Sequence, residues 1–534
     1  MQFVSVPFLL FAAVLVLVYY TVPRAWQPRV LLLASAIFYI QAGLPAFALI
    51  AFTTLTTFFA ARLIAANNAR QKRILSGECG VPVLQSGRIA LCDENAVAEG
   101  EMLAPKAVKK LVKAQNGRIT ALCLVLNFAI LAVCKSCLLQ PVAEIVKTGR
   151  LSFLTVGLPM GISFYMFQST GYLIDVNRGT VKAEKSLADY ALFVAYFPQL
   201  IQGPISCFSD LAPQFKKPHD FDAKSLSFGA QRMLWGYFKK LVVADRIAAA
   251  VLALKAPEYT GLSFLVLTVF YAVQIYGDFT GGIDIVIGFS EMLGITLKEN
   301  FIRPYFSKNI AEYWRRWHIS LGEWMKKYIF YPISVSSSMH KLSKAARGRF
   351  GAFGKRLPVY AASFATWFVT GIWHGLTPNF ALWGMMNCVV IVVSEELTPL
   401  YGKFHARFHL KEKRWYGVFE ILRMFCLMNL IRVVDLFPDV SEYFRRLGTM
   451  FSSFSVPFLE LGLTGLDYGI LAAAVVLMLI VGIVQEKRGS VREVLWGIHP
   501  ACRRAAMLAL LVVVLLMGNY GIGYNAASFI YNQF

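Results

Sequence analysis

Charged residues are scarce in this 534-residue chain. Asp, Glu, Lys and Arg together make up 16% of the sequence, whereas hydrophobic residues make up 57%. Soluble globular proteins carry about 25% charged and about 45–50% apolar residues. This shortage of charge argues against an ordinary soluble protein and predicts a membrane protein. The 42 Phe and 23 Tyr residues favour the same class, since aromatic side chains gather at lipid–water interfaces.

Acidic residues are outnumbered as well: 31 Asp and Glu stand against 53 Lys and Arg, so the formal net charge is +22. In a soluble protein this excess would suggest nucleic-acid binding. Here the cations cluster between apolar runs, where Lys and Arg set membrane topology and attract anionic headgroups. We therefore expect contact with membrane lipid and no nucleic-acid partner.

Neither the cysteines nor the common catalytic motifs indicate a disulfide framework, a metal site or a well-known type of active site. The nine Cys residues form no disulfide framework, and Cys134 and Cys137 lack a second pair or a His at zinc spacing. The chain contains no G-x-S-x-G, H-E-x-x-H or Walker A motif. We predict neither a metal site nor a permanently bound cofactor. The missing Walker A motif also argues against a nucleotide-driven pump.

Long apolar runs recur along the chain. A membrane span needs about 20 mainly apolar residues. Segments 187–206 and 241–255 are shorter or interrupted, and they either span or enter and leave on one side. The pattern predicts one integral membrane domain over 1–534, all-α and polytopic, with about 11–13 transmembrane or re-entrant helices. The clear candidates are 4–21, 28–42, 44–64, 118–138, 152–174, 261–290, 358–376, 379–395, 417–436, 468–484 and 505–520.

The placement of Lys and Arg predicts the orientation of these spans. The connection 485–504 holds five cations and should be cytoplasmic. Loop 65–117 should also be cytoplasmic, and both termini then lie outside the cytoplasmic membrane. The cations of this loop and of the residue directly after it are Arg70, Lys72, Arg73, Arg88, Lys106, Lys109, Lys110, Lys113 and Arg118.

Histidine is rare, and one of the seven lies in the unusual stretch "EYWRRWHISLGEWMKKYIFYPI" (312–333). A helix over 313–330 would be too charged to span lipid, so it should lie in the membrane plane or re-enter. Its histidine either packs structurally against tryptophan or takes part in chemistry. At 100° per residue, Trp314, Trp317 and His318 share an aromatic stripe, and Arg315 and Arg316 fall elsewhere.

A second histidine, His374, ends the apolar run of "TWFVTGIWHGLTPNFALWG" (366–384). Ionisable residues at membrane depth are costly and usually face a cavity or a partner. Gly371 and Gly375 allow close backbone approach, and Pro378 favours a helix break directly after the histidine. His374 could act as a general base at neutral pH. Alternatively, it is a neutral imidazole satisfied by one interhelical hydrogen bond.

Six sequence blocks, in order, resemble the membrane-bound O-acyltransferase family, in particular its alginate O-acetyltransferase membrane-subunit branch. The resemblance covers most of the chain, and it implies a catalytic core over 145–400 followed by C-terminal helices over 401–534. The blocks are "GISFYMFQSTGYLIDVNRG" (161–179), "YFPQLIQGPI" (196–205), "WGYFKKLVVADRI" (235–247), "YGDFTGGIDIVIGFSEMLGI" (276–295), "NFIRPYFSKNIAEYWRRWHISLGEW" (300–324) and "GIWHGLTPNFALWG" (371–384).

The resemblance implies a ring of tilted helices around a central tunnel, where an acyl donor from the cytoplasmic side meets an acceptor from the other side. It implies an O-acyltransferase in which His374 is the catalytic base and His318 a second functional position. The donor would be an acyl thioester, acetyl-CoA in this branch, and would act as a substrate. An extracytoplasmic partner, often an SGNH-type acyltransferase, would then esterify an exopolysaccharide.

Further residues are candidates for donor binding or for the tunnel wall. The guanidinium group of arginine matches the geometry of a phosphate. Arg303, Arg315 and Arg316 therefore either bind the phosphates of CoA or contact lipid headgroups. Asp278, like Asp284, either orients a histidine or caps a broken helix. Trp373 and Asn379, which lie near His374 in sequence, are candidate oxyanion donors. The complete set is Arg303, Trp314, Arg315, Arg316, Trp317, Asp278, Trp373 and Asn379.

Two alternative functions compete with O-acetylation. D-alanyl transfer to teichoic acid belongs to a branch that shares the histidine blocks, but its members are usually shorter, so the extra spans over 468–520 favour the alginate-type branch. A membrane transporter without acyl chemistry would bind substrate at broken helices. It predicts paired broken helices in two related halves, and the sequence shows no such repeat.

Overall fold

The computed structural model describes residues 3–76, 84–85, 88–89, 105–136 and 161–521. Within these ranges every long element is a helix, which confirms the predicted all-α class. Strand structure is limited there to β1 (Leu84–Gln85) and β2 (Arg88–Ile89), which pair antiparallel with Leu84 opposite Ile89. Residues 77–83, 86–87 and 90–104 of loop 65–117, the start of the predicted span 152–174 and the C-terminal residues 522–534 lie outside the described residues.

The described residues pack as two compact units. The smaller unit comprises residues 25–197 and 207–217. Polar pairs connect some of its helices in these apolar surroundings: Thr57 Oγ1 and Tyr190 OH lie 2.7 Å apart, and Asn116 Nδ2 donates to Asn68 Oδ1 at 2.8 Å. Its helices are α2 (Gln27–Ile40), α3 (Leu44–Leu75), α4 (Pro105–Ser136), α5 (Ile162–Arg178), α6 (Leu187–Ala195) and α8 (Phe208–Phe215).

The larger unit comprises residues 1–24, 198–206 and 218–534. Two of its helical segments, Phe238–Ala244 and Lys326–Phe330, have π-helical geometry. Its α-helices are α1 (Val6–Thr21), α7 (Phe197–Gln202, whose first residue belongs to the smaller unit), α9 (Ala223–Tyr237), α10 (Asp245–Leu254), α11 (Leu262–Met292), α12 (Ile310–Arg316), α13 (Ile319–Met325), α14 (Tyr331–Ser334), α15 (Ser337–His374), α16 (Pro378–Glu396), α17 (Thr398–Phe408), α18 (Arg414–Arg432), α19 (Val440–Gly448), α20 (Gly465–Arg488), α21 (Val491–Trp496) and α22 (Pro500–Met517).

Six of the described helices are long and apolar enough to cross a membrane, and α1 is a shorter apolar helix. The prediction of a multi-pass membrane protein is therefore confirmed. The central tunnel that the family resemblance implies stays a prediction. The six helices are α3, α4, α11, α16, α20 and α22.

Glycines bring α9 and α11 into backbone contact. A Cβ added at Gly236 would lie 2.6 Å from the Gly281 carbonyl oxygen, and one at Gly288 would lie 2.5 Å from the Gly229 oxygen. Side chains of any size would force these helices apart, so small residues are required along the seam. The close approach lets the π-helical segment after α9 place buried lysines directly against α11.

One of the two interpretations of Asp278 and Asp284, that they cap a broken helix, is wrong. Helix α11 is continuous through both residues, so neither aspartate caps a broken helix. Asp278 Oδ1 instead accepts from Lys240 Nζ at 2.6 Å, and Asp284 Oδ2 accepts from Lys239 Nζ at 2.6 Å. Lys240 also pairs with Asp245 at 2.7 Å. Both aspartates therefore tie the π-helical segment to α11.

Removing Asp278 should destabilise the protein strongly. Asp278→Ala takes one carboxylate from the buried Lys240. Breaking a buried pair costs about 3–5 kcal/mol when the remaining charge is left alone, and this is an upper bound here because Asp245 still pairs with Lys240. The matched control is Asp220→Ala, because Asp220 pairs with Arg24 at the exposed surface, where a pair contributes about 0–1 kcal/mol. Thermal unfolding in detergent should show a clear fall in midpoint for the first variant alone. Equal midpoints would contradict the role assigned to the buried pair.

Candidate active site

The tryptophan-rich segment is not one helix, so the predicted continuous helix over 313–330 is wrong. Helix α12 ends at Arg316 and α13 begins at Ile319. Between them Trp317 is extended and His318 is left-handed, with φ 47°. Trp317 forms an antiparallel bridge with Phe301, which takes up backbone groups that a continuous helix would need. Such left-handed non-glycine residues are uncommon and cluster at functional sites.

The start of α13 is held by the first residue of its own family-like block, Asn300, and by the last residue of another block, Ile205. Asn300 Oδ1 accepts from the Ser320 N–H at 3.0 Å and from Ser320 Oγ at 2.9 Å. Ser320 Oγ in turn accepts from the Ile205 N–H at 2.9 Å. These buried bonds fix the position of the chain on the C-terminal side of His318.

The imidazole of His318 is enclosed by aromatic rings and is only 2% exposed. The Phe279 ring meets it edge-on at a centroid distance of 4.9 Å, and the Trp373 ring lies at 6.2 Å. Burial, with a smaller contribution from the nearby Arg432 charge, lowers the pKa of His318 from 6.5 to about 3. His318 is therefore a neutral imidazole at physiological pH.

His374 is the last residue of α15, and Gly375 beyond it is extended before α16 begins at Pro378. This confirms the predicted break directly after the histidine. The expected close approach at the glycines is also present: a Cβ on Gly371 would lie 2.5 Å from the Phe380 carbonyl oxygen. The hairpin of α15 and α16 is thus packed backbone to backbone beside His374.

The two histidines come together although 55 residues separate them in sequence. Their ring centroids lie 6.5 Å apart with an interplanar angle of 68°. Trp373 contacts both rings, at 6.2 Å from His318 and 4.9 Å from His374. The Trp383 ring packs against His374 at 5.0 Å. The histidines therefore occupy one aromatic cluster.

Both histidines line a single cavity of about 290 Å³. Its wall includes six aromatic side chains besides the two histidines, and these favour exclusion of water. Exposed charged side chains, Arg315, Lys326 and Glu395, stand at its rim. The cavity can therefore admit a polar molecule at the rim and surround its inner end with indole rings. The aromatic lining includes Trp314, Trp317, Trp367 and Trp383.

Arg432 is a site residue that the sequence interpretation missed. It is 4% exposed, and its guanidinium carbon lies 4.7 Å from the Trp317 ring centre and 5.1 Å from that of Trp383. Arg432 Nη1 lies 3.7 Å from Asp435 Oδ2. An arginine at the end of the apolar run 417–436 was the available signal. Its charge favours the neutral form of His318.

Several candidates lie outside the histidine cavity. Arg303 and Arg316 share the carboxylate of Glu486, with contacts of 2.5 Å to Nε and 3.0 Å to Nη2. Asp278 is occupied by Lys240. Of the three arginines singled out from the sequence, only Arg315 lines this cavity.

The two candidate oxyanion donors also lie outside the lining. Trp373 is buried between the histidine rings. Asn379 Nδ2 donates to the carbonyl oxygens of Val434 and Asp435 at 3.3 and 3.1 Å. Asn379 thereby fastens the start of α16 to the turn after α18. Among the described residues, no group of three His, Cys, Asp or Glu side chains could hold a metal ion.

Comparisons with known proteins identify a matching family and several relatives. Residues 183–434 match the model of the membrane-bound O-acyltransferase family, which confirms the resemblance for that stretch. The probable alginate O-acetylase AlgI of Pseudomonas aeruginosa is 34% identical over 335 residues, covering 61% of this chain and 59% of that protein. A peptidoglycan O-acetyltransferase of Helicobacter pylori is 30% identical over 336 residues, covering 54% of this chain and 60% of the relative.

A more distant relative carries the alternative chemistry. The teichoic acid D-alanyltransferase of Bacillus subtilis is 25% identical over 273 residues, covering 50% of this chain and 65% of that protein. The chain spans between 43% and 65% of the length of the curated relatives it matches. The acetyltransferase-named proteins are thus more similar to this chain than the D-alanyltransferase.

Gly371→Ala should disturb the hairpin that carries His374. The new methyl group would lie 2.5 Å from the Phe380 oxygen, and overpacking of this kind costs about 1–3 kcal/mol. We expect a lower midpoint of thermal unfolding in detergent. The control is Gly402→Ala in α17, where nothing lies within 4 Å of the added Cβ and alanine favours the helix. A midpoint for Gly371→Ala at or above the control value would contradict the packing argument.

Proposed function

We propose that this chain, whose residues 183–434 are a domain of the membrane-bound O-acyltransferase family, is a membrane O-acetyltransferase that acts in the acetylation of an extracytoplasmic polysaccharide. The observation that carries the proposal is the pair His318 and His374 on the wall of one aromatic cavity. The acetyl group would come from a cytoplasmic thioester donor, acetyl-CoA. The relatives named as O-acetylase and O-acetyltransferase favour acetyl over D-alanyl as the transferred group.

In this proposal His374 is the general base. Its ring nitrogen takes the proton of the acceptor hydroxyl as that oxygen attacks the thioester carbonyl carbon. A tetrahedral oxyanion forms, the carbon–sulfur bond breaks, and the thiolate leaves and takes up the proton. The products are an acetyl ester and a free thiol. Indole rings around the reacting groups would exclude water, which would otherwise hydrolyse the donor.

His318 would serve as a neutral hydrogen-bond donor to the tetrahedral oxyanion. A buried neutral imidazole can stabilise developing negative charge without itself changing protonation. Arg315 and Lys326 at the rim of the cavity could pair with the phosphates of the donor. Arg432 would act through His318 and the indoles, and is therefore a positioning residue.

The setting of the reaction is part of the same proposal. The protein would lie in the cytoplasmic membrane with both termini outside, as the distribution of Lys and Arg predicts. The acetyl group would pass to an extracytoplasmic partner, an SGNH-type acyltransferase or the polysaccharide acceptor. A transporter without acyl chemistry is less well supported, because the matched family is one of acyltransferases.

Replacing the proposed base should abolish transfer. With purified protein and labelled acetyl-CoA, His374→Ala is expected to lose about 10²–10⁴-fold in acetyl transfer. His340→Ala, which changes an exposed histidine before the kink of α15 at Gly351, should keep wild-type activity. Equal activity of His374→Ala and wild type would refute the general-base role. Activity with a D-alanyl carrier thioester but none with acetyl-CoA would favour the D-alanyltransferase alternative.

Two substitutions at His318 separate its ring from its backbone conformation. Asn tolerates the left-handed region better than Ala and retains a side-chain N–H donor. We therefore expect His318→Asn to keep measurable activity while His318→Ala loses most of it. Because the pKa of His318 is about 3, the wild-type rate profile between about pH 5 and pH 8 should show no ionisation of this residue. The loss of an acid limb in that range on replacing His318 would contradict the assignment.

A further inference from the structure

A second and larger cavity lies between the core of the larger unit and its C-terminal helices. Its volume is about 670 Å³, enough for roughly twenty water molecules at about 30 Å³ each. One wall is formed by α9, α11 and the segment 299–303, and the other by α20, α21 and α22. Neither histidine of the candidate active site lines this cavity.

The core wall carries charges of both signs. Arg232 contacts Asp284 at 2.8 Å and Glu299 at 2.6 Å. Lys239 bonds Asp284 at 2.6 Å and Thr280 Oγ1 at 2.8 Å. Because cations and carboxylates are paired, this wall offers a mixed polar surface rather than a binding site for a bare anion.

The opposite wall is apolar where α20 and α22 face the cavity. Leu477 and Val481 belong to α20, and Leu510 and Val513 belong to α22. In the most apolar stretch of these helices, only 17% of α20 and 6% of α22 is buried inside the protein. Both helices therefore touch the core sparingly. Well-packed proteins leave few voids larger than a water molecule, so apolar space of this size calls for an apolar occupant.

Two hydrogen bonds to backbone carbonyl oxygens mark the two ends of the cavity. At one end Arg492 Nη1 donates to the Phe228 carbonyl oxygen at 3.0 Å, and at the other the Asn519 N–H donates to the Leu241 oxygen at 3.0 Å. Ser490 and Arg492 are polar residues of the lining, and they lie in the connection between α20 and α22, at the same end as the Phe228 contact. The apolar residues of α22 follow toward the second end. One end of this wall is therefore polar, and the rest is apolar.

We propose that this cavity binds one membrane phospholipid. Its headgroup would lie near Ser490, Arg492 and Arg232, where both signs of charge meet a phosphate and an amine. One acyl chain would run between Leu477, Val481 and Leu510. Such a lipid joins the C-terminal helices to the core and exchanges more slowly than lipid around the protein, because protein walls enclose it on both sides.

Native mass spectrometry of the detergent-purified full chain tests this proposal. Wild type is expected to retain one phospholipid through a delipidating wash. Leu510→Trp, which fills the cavity, should lose it. The matched control is Leu508→Trp on the same helix, since Leu508 is 61% exposed and is not part of the lining. Retention of no phospholipid by wild type, or equal retention by both variants, would overturn the proposal.

A second pair of variants approaches the cavity from the other helix. Val481→Trp in α20 should also release the lipid, whereas Val476→Trp, at a position 53% exposed, should not. Monodisperse elution of all four variants shows that they are folded. Release of the retained lipid from wild type by an excess of acetyl-CoA would mean that the cavity is the site of the acyl donor, and would overturn the assignment of a phospholipid as its resident ligand. These readouts do not depend on acyl transfer.

Discussion

Buried ion pairs between the π-helical segment Phe238–Ala244 and α11 are the contacts on which the larger unit depends. Lys239 and Lys240 are adjacent in sequence, yet they reach Asp284 and Asp278 on α11, each at 2.6 Å. A lone charge in these apolar surroundings would be far more costly than a paired one. The two pairs therefore fix both the rotation of α11 about its axis and its position along it.

The position of α11 in turn decides what meets His318. Phe279 follows Asp278 directly, and its ring packs edge-on against the imidazole at 4.9 Å. The same demand for a partner explains Arg432, whose buried guanidinium lies over two indole rings, a favourable arrangement for a desolvated cation. Burial and this positive charge together keep His318 neutral. The ion pairs of the core thus position α11, and α11 in turn places Phe279 against His318 in the candidate site.

Local signals in the sequence were enough for much of the architecture and for both histidines. The predicted apolar runs include all six helices that are long and apolar enough to span a membrane, and Pro378 marked the break that leaves His374 at the end of α15. Local periodicity was misleading over 313–330, because the bridge between Phe301 and Trp317 depends on a partner outside the segment. A helical wheel contains no information about such a partner, so the left-handed conformation of His318 could not be predicted.

Hydrophobic length and the cost of burying polar groups act locally along the chain. The amino-acid sequence was therefore enough to predict a membrane-embedded, all-α protein with two histidines in apolar or aromatic surroundings. Contacts between distant segments bring these histidines to one cavity, place Arg432 beside them, and pair Arg303 and Arg316 with Glu486. Those outcomes depend on which distant segments satisfy each other's charges, and many pairings are compatible with the same composition.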